Sequence, residues 1–243
     1  MRVDRLFPER AVAVPVDDDL GDLRLGERAG DDRPYLVLNM VASIDGRTTI
    51  GGRVGDLTSP VDQRVVYRLR TQAEALLVGA GTARNERYGS LFPDLEPGAP
   101  PPLVVIVSAR VDLPADLPLL AEAEARVVIA TPHPEAVLGS DHAATVDYLR
   151  LPGTVGRIDC AALCRALRRD FGVRSVVCEG GPSLNEALIG YGVVDELFVS
   201  LAPLLVGGGE RSLVDAAVAR TPARARLVSV ATADSYLFLR YAL

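Results

Sequence analysis

Residues able to do chemistry gather at the ends of short apolar runs. Gly79-Ala80-Gly81-Thr82 and Gly180-Gly181-Pro182-Ser183 each follow an apolar stretch that reads as a buried strand, and each opens a helix. Such a turn leaves backbone N–H groups free at a helix start, where the dipole also favours an anion. Two of them in one open sheet, at the carboxyl ends of strands, can hold both halves of a diphosphate nucleotide. Neither matches a standard fingerprint. Arg84 stands where the dinucleotide pattern has its third glycine, and there is no G-x-x-x-x-G-K. Taken singly, each also reads as an ordinary tight turn.

Other side chains sit at comparable points. Ser108 and Arg110 follow the strand Leu103 to Val107. A hydroxyl and a guanidinium there could grip a ribose 2′-phosphate, favouring NADP over NAD; a solvated loop is the plainer reading. Asp45 follows a buried strand and precedes Gly46, so it either orients or protonates a substrate or simply forms a turn. Glu179 ends a buried strand, where an unpaired carboxylate is costly; it pairs with an arginine or meets a ligand. Arg70, at the end of a helix, could bind a substrate phosphate or carboxylate, or interact with the helix C-terminus.

Composition narrows the chemistry. All 26 Lys+Arg residues of the 243 are arginine, against 32 Asp+Glu, for a net charge of −6. Without lysine there is no Schiff-base amine and no Walker lysine. Anions must be met by arginine forks, backbone N–H groups or hydroxyls. The negative charge argues against non-specific nucleic-acid binding. Cys160, Cys164 and Cys178 suit buried thiols rather than a disulfide framework, and His133 and His142 have no metal-site spacing, so no metal is expected. No apolar run approaches membrane-spanning length, and MRVDRLFPER has no signal-peptide core, so a cytoplasmic protein is expected.

The elements that must position these residues follow from the pattern. Tyr35 to Ala42 is apolar enough for a strand buried on both faces. Ser59, Pro60 and Asp62 form the N-cap, first-turn proline and capping box of a helix whose apolar face is Val61, Val65, Val66 and Leu69. Strands at 75–78, 103–107, 127–130, 144–149, 174–178 and 195–202 alternate with helices at 158–171 and 182–189, and 226–232 with 236–241 forms a hairpin. The stretches 93–102 and 132–152 are loop-rich, and residues 1–34 read as irregular. The expected fold is α/β, a mixed, mainly parallel sheet flanked by helices with a C-terminal antiparallel hairpin. The expected organisation is an N-terminal extension, 1–34, before one domain, 35–243.

Together these segments resemble a known family. Asn39-Met40-Val41-Ala42-Ser43-Ile44-Asp45-Gly46-Arg47 is similar to its first strand and "S-x-D-G" loop, and Thr58-Ser59-Pro60 with Arg68-Leu69-Arg70 to its first helix. Ala75 to Thr82 and Cys178 to Leu184 are similar to its "D-A-x-L-V-G-x-G-T" and "x-E-G-G-P-x-L" turns. Val194 to Leu197, Ala202-Pro203 and Val206 to Gly208 resemble its final signature. The family is the reductase domain of riboflavin biosynthesis, of dihydrofolate reductase-like fold. Arg84 to Gly89, replacing a "D-D-P" stretch, resembles an actinobacterial stand-alone branch.

The resemblance implies NADPH-dependent reduction of 5-amino-6-(5-phosphoribosylamino)uracil to its ribitylamino form, by hydride transfer to C1′ of the opened sugar, in a homodimer. It puts NADPH against Val41, Thr48, Thr82, Glu86, Ser108, Gly181, Pro182, Ser183 and Leu184; Gly81, Gly180 and Arg110 join them as cofactor-binding candidates from the glycine turns and the strand end. It puts substrate near Asp45, Arg70 and Glu179, with Asp45 and Glu179 the candidate catalytic carboxylates. Two other functions fit the same residues: reduction of dihydrofolate or another pterin, and NADPH binding by a regulatory protein without catalysis.

Overall fold

The computed structural model describes residues 1–96, 98–139, 141–154, 157–214 and 222–243. Its strands are β1 (Arg2–Phe7), β2 (Ala11–Pro15), β3 (Tyr35–Ser43), β4 (Ala75–Gly79), β5 (Leu103–Val107), β6 (Arg126–Thr131), β7 (Thr145–Arg150), β8 (Gly153–Thr154), β9 (Arg157–Ile158), β10 (Ser175–Cys178), β11 (Glu196–Ala202), β12 (Arg226–Ala233) and β13 (Tyr236–Ala242). Its helices are α1 (Val16–Leu20), α2 (Pro60–Arg70), α3 (Ala80–Asn85), α4 (Cys160–Phe171) and α5 (Pro182–Gly190). Residues 97 and 140, inside the two loop-rich stretches, lie outside the described residues.

One 11-stranded sheet runs β2-β1-β12-β13-β11-β3-β10-β4-β5-β6-β7. The pairs from β11 to β7 are parallel, and those from β2 to β11 are antiparallel. The parallel part is apolar on both faces because helices cover both. Val37, Leu76, Val104 and Val177 face α2, while Leu36, Leu38, Leu77 and Val176 face α4 and α5. Each such side chain contributes about 1.5–3 kcal/mol by leaving water.

The caps set the helices where the pattern placed them. Ser59 Oγ accepts the Asp62 N–H at 3.1 Å, and Asp159 caps α4 through the Ala162 N–H at 2.8 Å. Gly172, at φ 69°, ends α4 in the left-handed region that glycine enters freely. The β12–β13 hairpin turns through Asp234 and Ser235, both at positive φ. All three cysteines are buried and form no disulfide among the described residues.

The N-terminal segment differs from the irregular reading. Residues 1–34 supply β1, β2, α1 and a 3-10 turn (Leu25–Arg28), and β1 extends the sheet by pairing with β12. Charge ties the segment down: Arg64 grips Asp17, Arg5 grips Asp19, and Arg28 joins Arg240 on the buried carboxylate of Glu196.

Candidate active site

Adjacent parallel strands bring the two glycine turns together. β4 and β10 are neighbours, so their carboxyl ends place Gly79 beside Gly180, and the Gly79 N–H donates to the Gly180 carbonyl at 2.7 Å. The backbones meet this closely because side chains are missing. A Cβ at Gly180, where φ is +77°, would come 3.0 Å from both Met40 Sδ and Asn185 Oδ1; one at Gly181 would come 2.8 Å from Thr82 Oγ1. At the start of α5, Pro182 has no N–H, and those of Leu184 and Asn185 bond to the Gly181 carbonyl at 2.9 and 3.0 Å. The Ser183 N–H has no acceptor among the described residues, leaving a donor at the dipole's positive end. Two turns that meet at glycines, beside two helix starts, fit the diphosphate of a dinucleotide.

Beside these turns, on the sheet face that carries α2 and α3, lies a cleft of about 360 Å³. It brings together Val41 and Thr48 from β3 and the loop after it, Arg70 from α2, Thr82 and Glu86 from α3 and its C-cap, and Glu179 from the turn after β10. Among them, Glu86 Oε1 accepts the Val54 N–H at 3.0 Å, and the Thr48 N–H donates to the Arg211 carbonyl at 2.9 Å. Both contacts tie the loop between β3 and α2 over the cleft.

Glu179 takes one of its two expected partners, an arginine. Arg70 donates through Nε and Nη2 to its two carboxylate oxygens at 2.6 and 2.7 Å, and through Nη1 to the Leu91 carbonyl at 3.0 Å. The Tyr88 hydroxyl donates to Glu179 Oε2. Burial opposes the Arg70 charge, but the Glu179 carboxylate outweighs it and raises the guanidinium above its usual value. Burial, reinforced by the Glu179 charge, pushes the Tyr88 hydroxyl well up. A substrate phosphate reaching Arg70 would share it with Glu179.

Asp45, Ser108 and Arg110 lie outside this lining. Asp45 accepts from Ser43 Oγ at 2.6 Å and from the N–H groups of Val206 and Gly207 at 3.0 and 2.7 Å. The Ser43 hydroxyl, then these N–H groups, hold its carboxyl well below the usual carboxylate range. Held in this way, it clamps the loop after β3 to the loop after β11. Ser108 Oγ accepts the Val111 N–H at 3.0 Å and shapes the turn after β5, one strand beyond Gly79. Arg110 is exposed and makes no ion pair among the described residues.

Two cleft residues escaped the sequence reading. Asn39, on β3, is 7% exposed, lines the cleft and has no side-chain hydrogen-bond partner among the described residues. Its signal was a lone amide in an apolar strand. Asp62 is 4% exposed and also lines the cleft. Its carboxylate accepts from Thr58 Oγ1 at 2.5 Å, so the capping box is only half formed, and the Ser200 hydroxyl lies close to it. Burial raises its pKa; the two hydroxyls lower it in part, and the Glu179 charge adds to the rise. Among the described residues, no group of His, Cys, Asp or Glu is placed to hold a metal ion, and no helix is long and apolar enough to cross a membrane.

Comparison with known proteins agrees with this arrangement. Residues 34–239 match the family model for the RibD C-terminal domain. The chain is 32% identical to the 2,5-diamino-6-ribosylamino-4(3H)-pyrimidinone 5′-phosphate reductase of Methanothermobacter thermautotrophicus, covering 75% of this chain and 84% of that protein. It is 30% identical to the protein of the same name from Archaeoglobus fulgidus, over 75% and 86%. Against the Escherichia coli riboflavin biosynthesis protein RibD it is 29% identical and spans 51% of the longer chain. The fold matches a pyrimidine reductase-like protein of Corynebacterium diphtheriae (TM-score 0.73, 22% identity, 87% and 92% of the chains). It also matches the Saccharomyces cerevisiae riboflavin biosynthesis reductase Rib7 (0.71, 19%, 94% and 99%), a dihydrofolate reductase-like architecture. With its two glycine turns in contact above a shared cleft, and the family model spanning nearly the whole sheet, the chain belongs to the RibD C-terminal domain family.

Proposed function

We propose that this chain is an NADPH-dependent reductase of riboflavin biosynthesis. Its substrate would be a ribosylamino-pyrimidine 5′-phosphate, either 5-amino-6-(5-phosphoribosylamino)uracil or its 2-amino counterpart, and its product the ribitylamino form. The observation that carries the proposal is the Gly79–Gly180 contact beside a cleft walled by Glu179, Asn39 and Asp62. A catalytic unit of residues 35–243, with 1–34 as an N-terminal extension joined to its sheet, and a cytoplasmic homodimer, belong to the same reading.

When bound, the dinucleotide supplies a hydride to the imine carbon C1′ of the opened sugar. The chain's own residues bind and orient. The turns at Gly79–Thr82 and Gly180–Leu184 would hold the diphosphate, and Arg110 would meet a 2′-phosphate. Val41, Thr82 and Glu86 would fix the cofactor's inner half against the substrate. The Arg70–Glu179–Tyr88 cluster forms a rigid, charge-balanced wall, so the substrate is held against fixed groups. The imine nitrogen takes its proton from water reaching the open cleft.

Pterin reduction remains a second reading because Asp62 gives the cleft a buried carboxylate that a pterin's amino edge would also suit. Following NADPH consumption with the ribosylamino-pyrimidines and with dihydrofolate separates the two. Binding of NADPH with no oxidation by any of them would leave only a regulatory, non-catalytic protein.

A further inference from the structure

α2 presents three faces, and each meets something different. Val61, Val65 and Leu69 are buried against the sheet. Gln63, Val66, Tyr67 and Arg70 line the cleft. Arg64 and Arg68, one turn apart, form a third stripe that Gln72 continues just beyond the helix end, and the N-terminal segment grips all three. Arg64 donates through Nε and Nη2 to the two carboxylate oxygens of Asp17 at 3.0 and 2.6 Å. Arg68 Nη2 donates to the Gly21 carbonyl at 3.0 Å, and the Leu23 N–H donates to Gln72 Oε1 at 2.7 Å. The segment is itself anchored, since Val3, Val16, Leu23 and Leu25 are buried in the same apolar cluster as Val61, Val65 and Leu69. Arg64 also reaches through Nη1 to Asp94, in the loop after α3. That loop supplies the Leu91 carbonyl, which takes Arg70 Nη1 at 3.0 Å. Arg64 therefore joins the N-terminal segment both to the helix that carries Arg70 and to the loop that receives it. Residues 1–33 lie outside the stretch that the family model matches.

We infer that Asp17 and Arg64 are positioning residues, through which the N-terminal segment fixes the rotation and axial placement of α2 and so the place of Tyr67 and Arg70 in the cleft. This rests on the proposed reductase function and gives residues 1–34 a part in it. Apolar burial is non-directional, so α2 can slide or turn slightly while Val61, Val65 and Leu69 stay covered. A two-point guanidinium–carboxylate contact fixes both a distance and a plane. With the ties at Arg68 and Gln72, it holds α2 along about 12 Å of its axis. The Arg70–Glu179 contact, closed at 2.6 and 2.7 Å, leaves little room for drift. A shift of about 1 Å in groups that orient a substrate can cost on the order of 100-fold in rate. The glycine turns stand on β4 and β10 and take none of these ties, so the effect falls on the substrate and spares the cofactor. The Arg64 and Asp17 side chains are 30% and 44% exposed. A pair that open contributes little to stability, so placement and not stability is what it supplies.

The test uses the full chain carrying Asp17→Asn, Arg64→Gln or both. Each single change should lower kcat/KM for the ribosylamino-pyrimidine phosphate about tenfold. Each should leave the NADPH Kd, measured by calorimetry, within about twofold of wild type, and the melting temperature within a few degrees. The double variant should fall no further than Arg64→Gln alone, because Asp17 acts only through Arg64. Asp17→Glu keeps the carboxylate and should recover most of the loss. Independently of turnover, hydrogen exchange at the α2 amides should quicken in both single variants while β12 stays protected. Should Arg64→Gln fail to fold, Asp17→Asn and Asp17→Glu carry the comparison. A wild type that oxidises no NADPH with either pyrimidine would overturn the proposed function; the exchange result then decides the placement of α2, faster exchange confined to α2 supporting it and unchanged exchange overturning it. Unchanged kcat/KM in Asp17→Asn, an equal loss of NADPH affinity, or additive losses in the double variant would overturn the inference.

Discussion

Arg70 and Glu179 meet as a two-point ion pair, Nε to Oε1 at 2.6 Å and Nη2 to Oε2 at 2.7 Å, with both side chains less than a tenth exposed. The pair links the end of α2 to the turn after β10, and Tyr88 adds a third bond to the same carboxylate. Removing one partner leaves a buried charge without its counter-charge. Arg70→Met or Glu179→Leu should each lower stability by about 3–5 kcal/mol in urea unfolding, and the double replacement by clearly less than the sum. Losses near zero for both single variants would show that the pair contributes nothing to the wall.

Gly181 keeps an ordinary backbone conformation, with φ −75°, so only its missing side chain matters. A methyl group there would press on Thr82 Oγ1, the tip of a side chain that can turn aside. Gly181→Ala should therefore melt within a few degrees of wild type. Its NADPH affinity in calorimetry should fall on the order of 10- to 100-fold, about 1.4–2.7 kcal/mol. Unchanged affinity would remove this turn from the cofactor site.

Arg110 is exposed, just beyond the strand that neighbours Gly79. A guanidinium there would discriminate by charge and by fork geometry. Arg110→Ala should lower the NADPH-over-NADH preference about tenfold, consistent with a charged hydrogen bond of roughly 1.5 kcal/mol, and leave NADH binding unaltered. A preference that survives the change would assign the 2′-phosphate to other groups.

Asp62 is held above its ordinary pKa chiefly by burial. A raised folded pKa stabilises the fold below the unfolded value and loses that contribution as pH rises through the folded one. Above the folded value the ionised carboxylate is a cost to the fold. Asp62→Asn should raise the melting temperature at neutral pH, by the equivalent of about 0.5–2 kcal/mol, and this advantage should shrink as the pH falls through the raised folded pKa and be gone below the unfolded value of about 4. An advantage independent of pH would mean that ionisation of Asp62 is not its source.

Much of this was legible in the sequence because it rests on local rules. Ser59-Pro60 fixed the start of α2, Gly172 the end of α4, and unbroken valine and leucine runs the parallel strands. The two glycine turns announced themselves, although their mutual contact depends on β4 and β10 being neighbours, which no local pattern states. Residues 1–34 were read as irregular because only Val3 of β1 is buried and its other side chains are mostly polar, leaving little alternation to see. Asp62 was hidden by a second role, since a carboxylate three residues after a helix cap reads as a capping residue. Asp45 and Glu179 each had two readings from sequence, and only the distances to Ser43, Val206 and Gly207, or to Arg70, show which partners they hold.

The central claim is that the glycine turns and the adjoining cleft carry out an NADPH-dependent reduction of a ribosylamino-pyrimidine phosphate. The most direct measurement follows NADPH consumption by purified protein with the 2-amino and uracil substrates, alongside mass analysis of the product. The account predicts one NADPH oxidised for each ribitylamino product formed, a product two mass units heavier than its substrate. NADPH that does not bind, or that binds and remains unoxidised with both substrates, would contradict it.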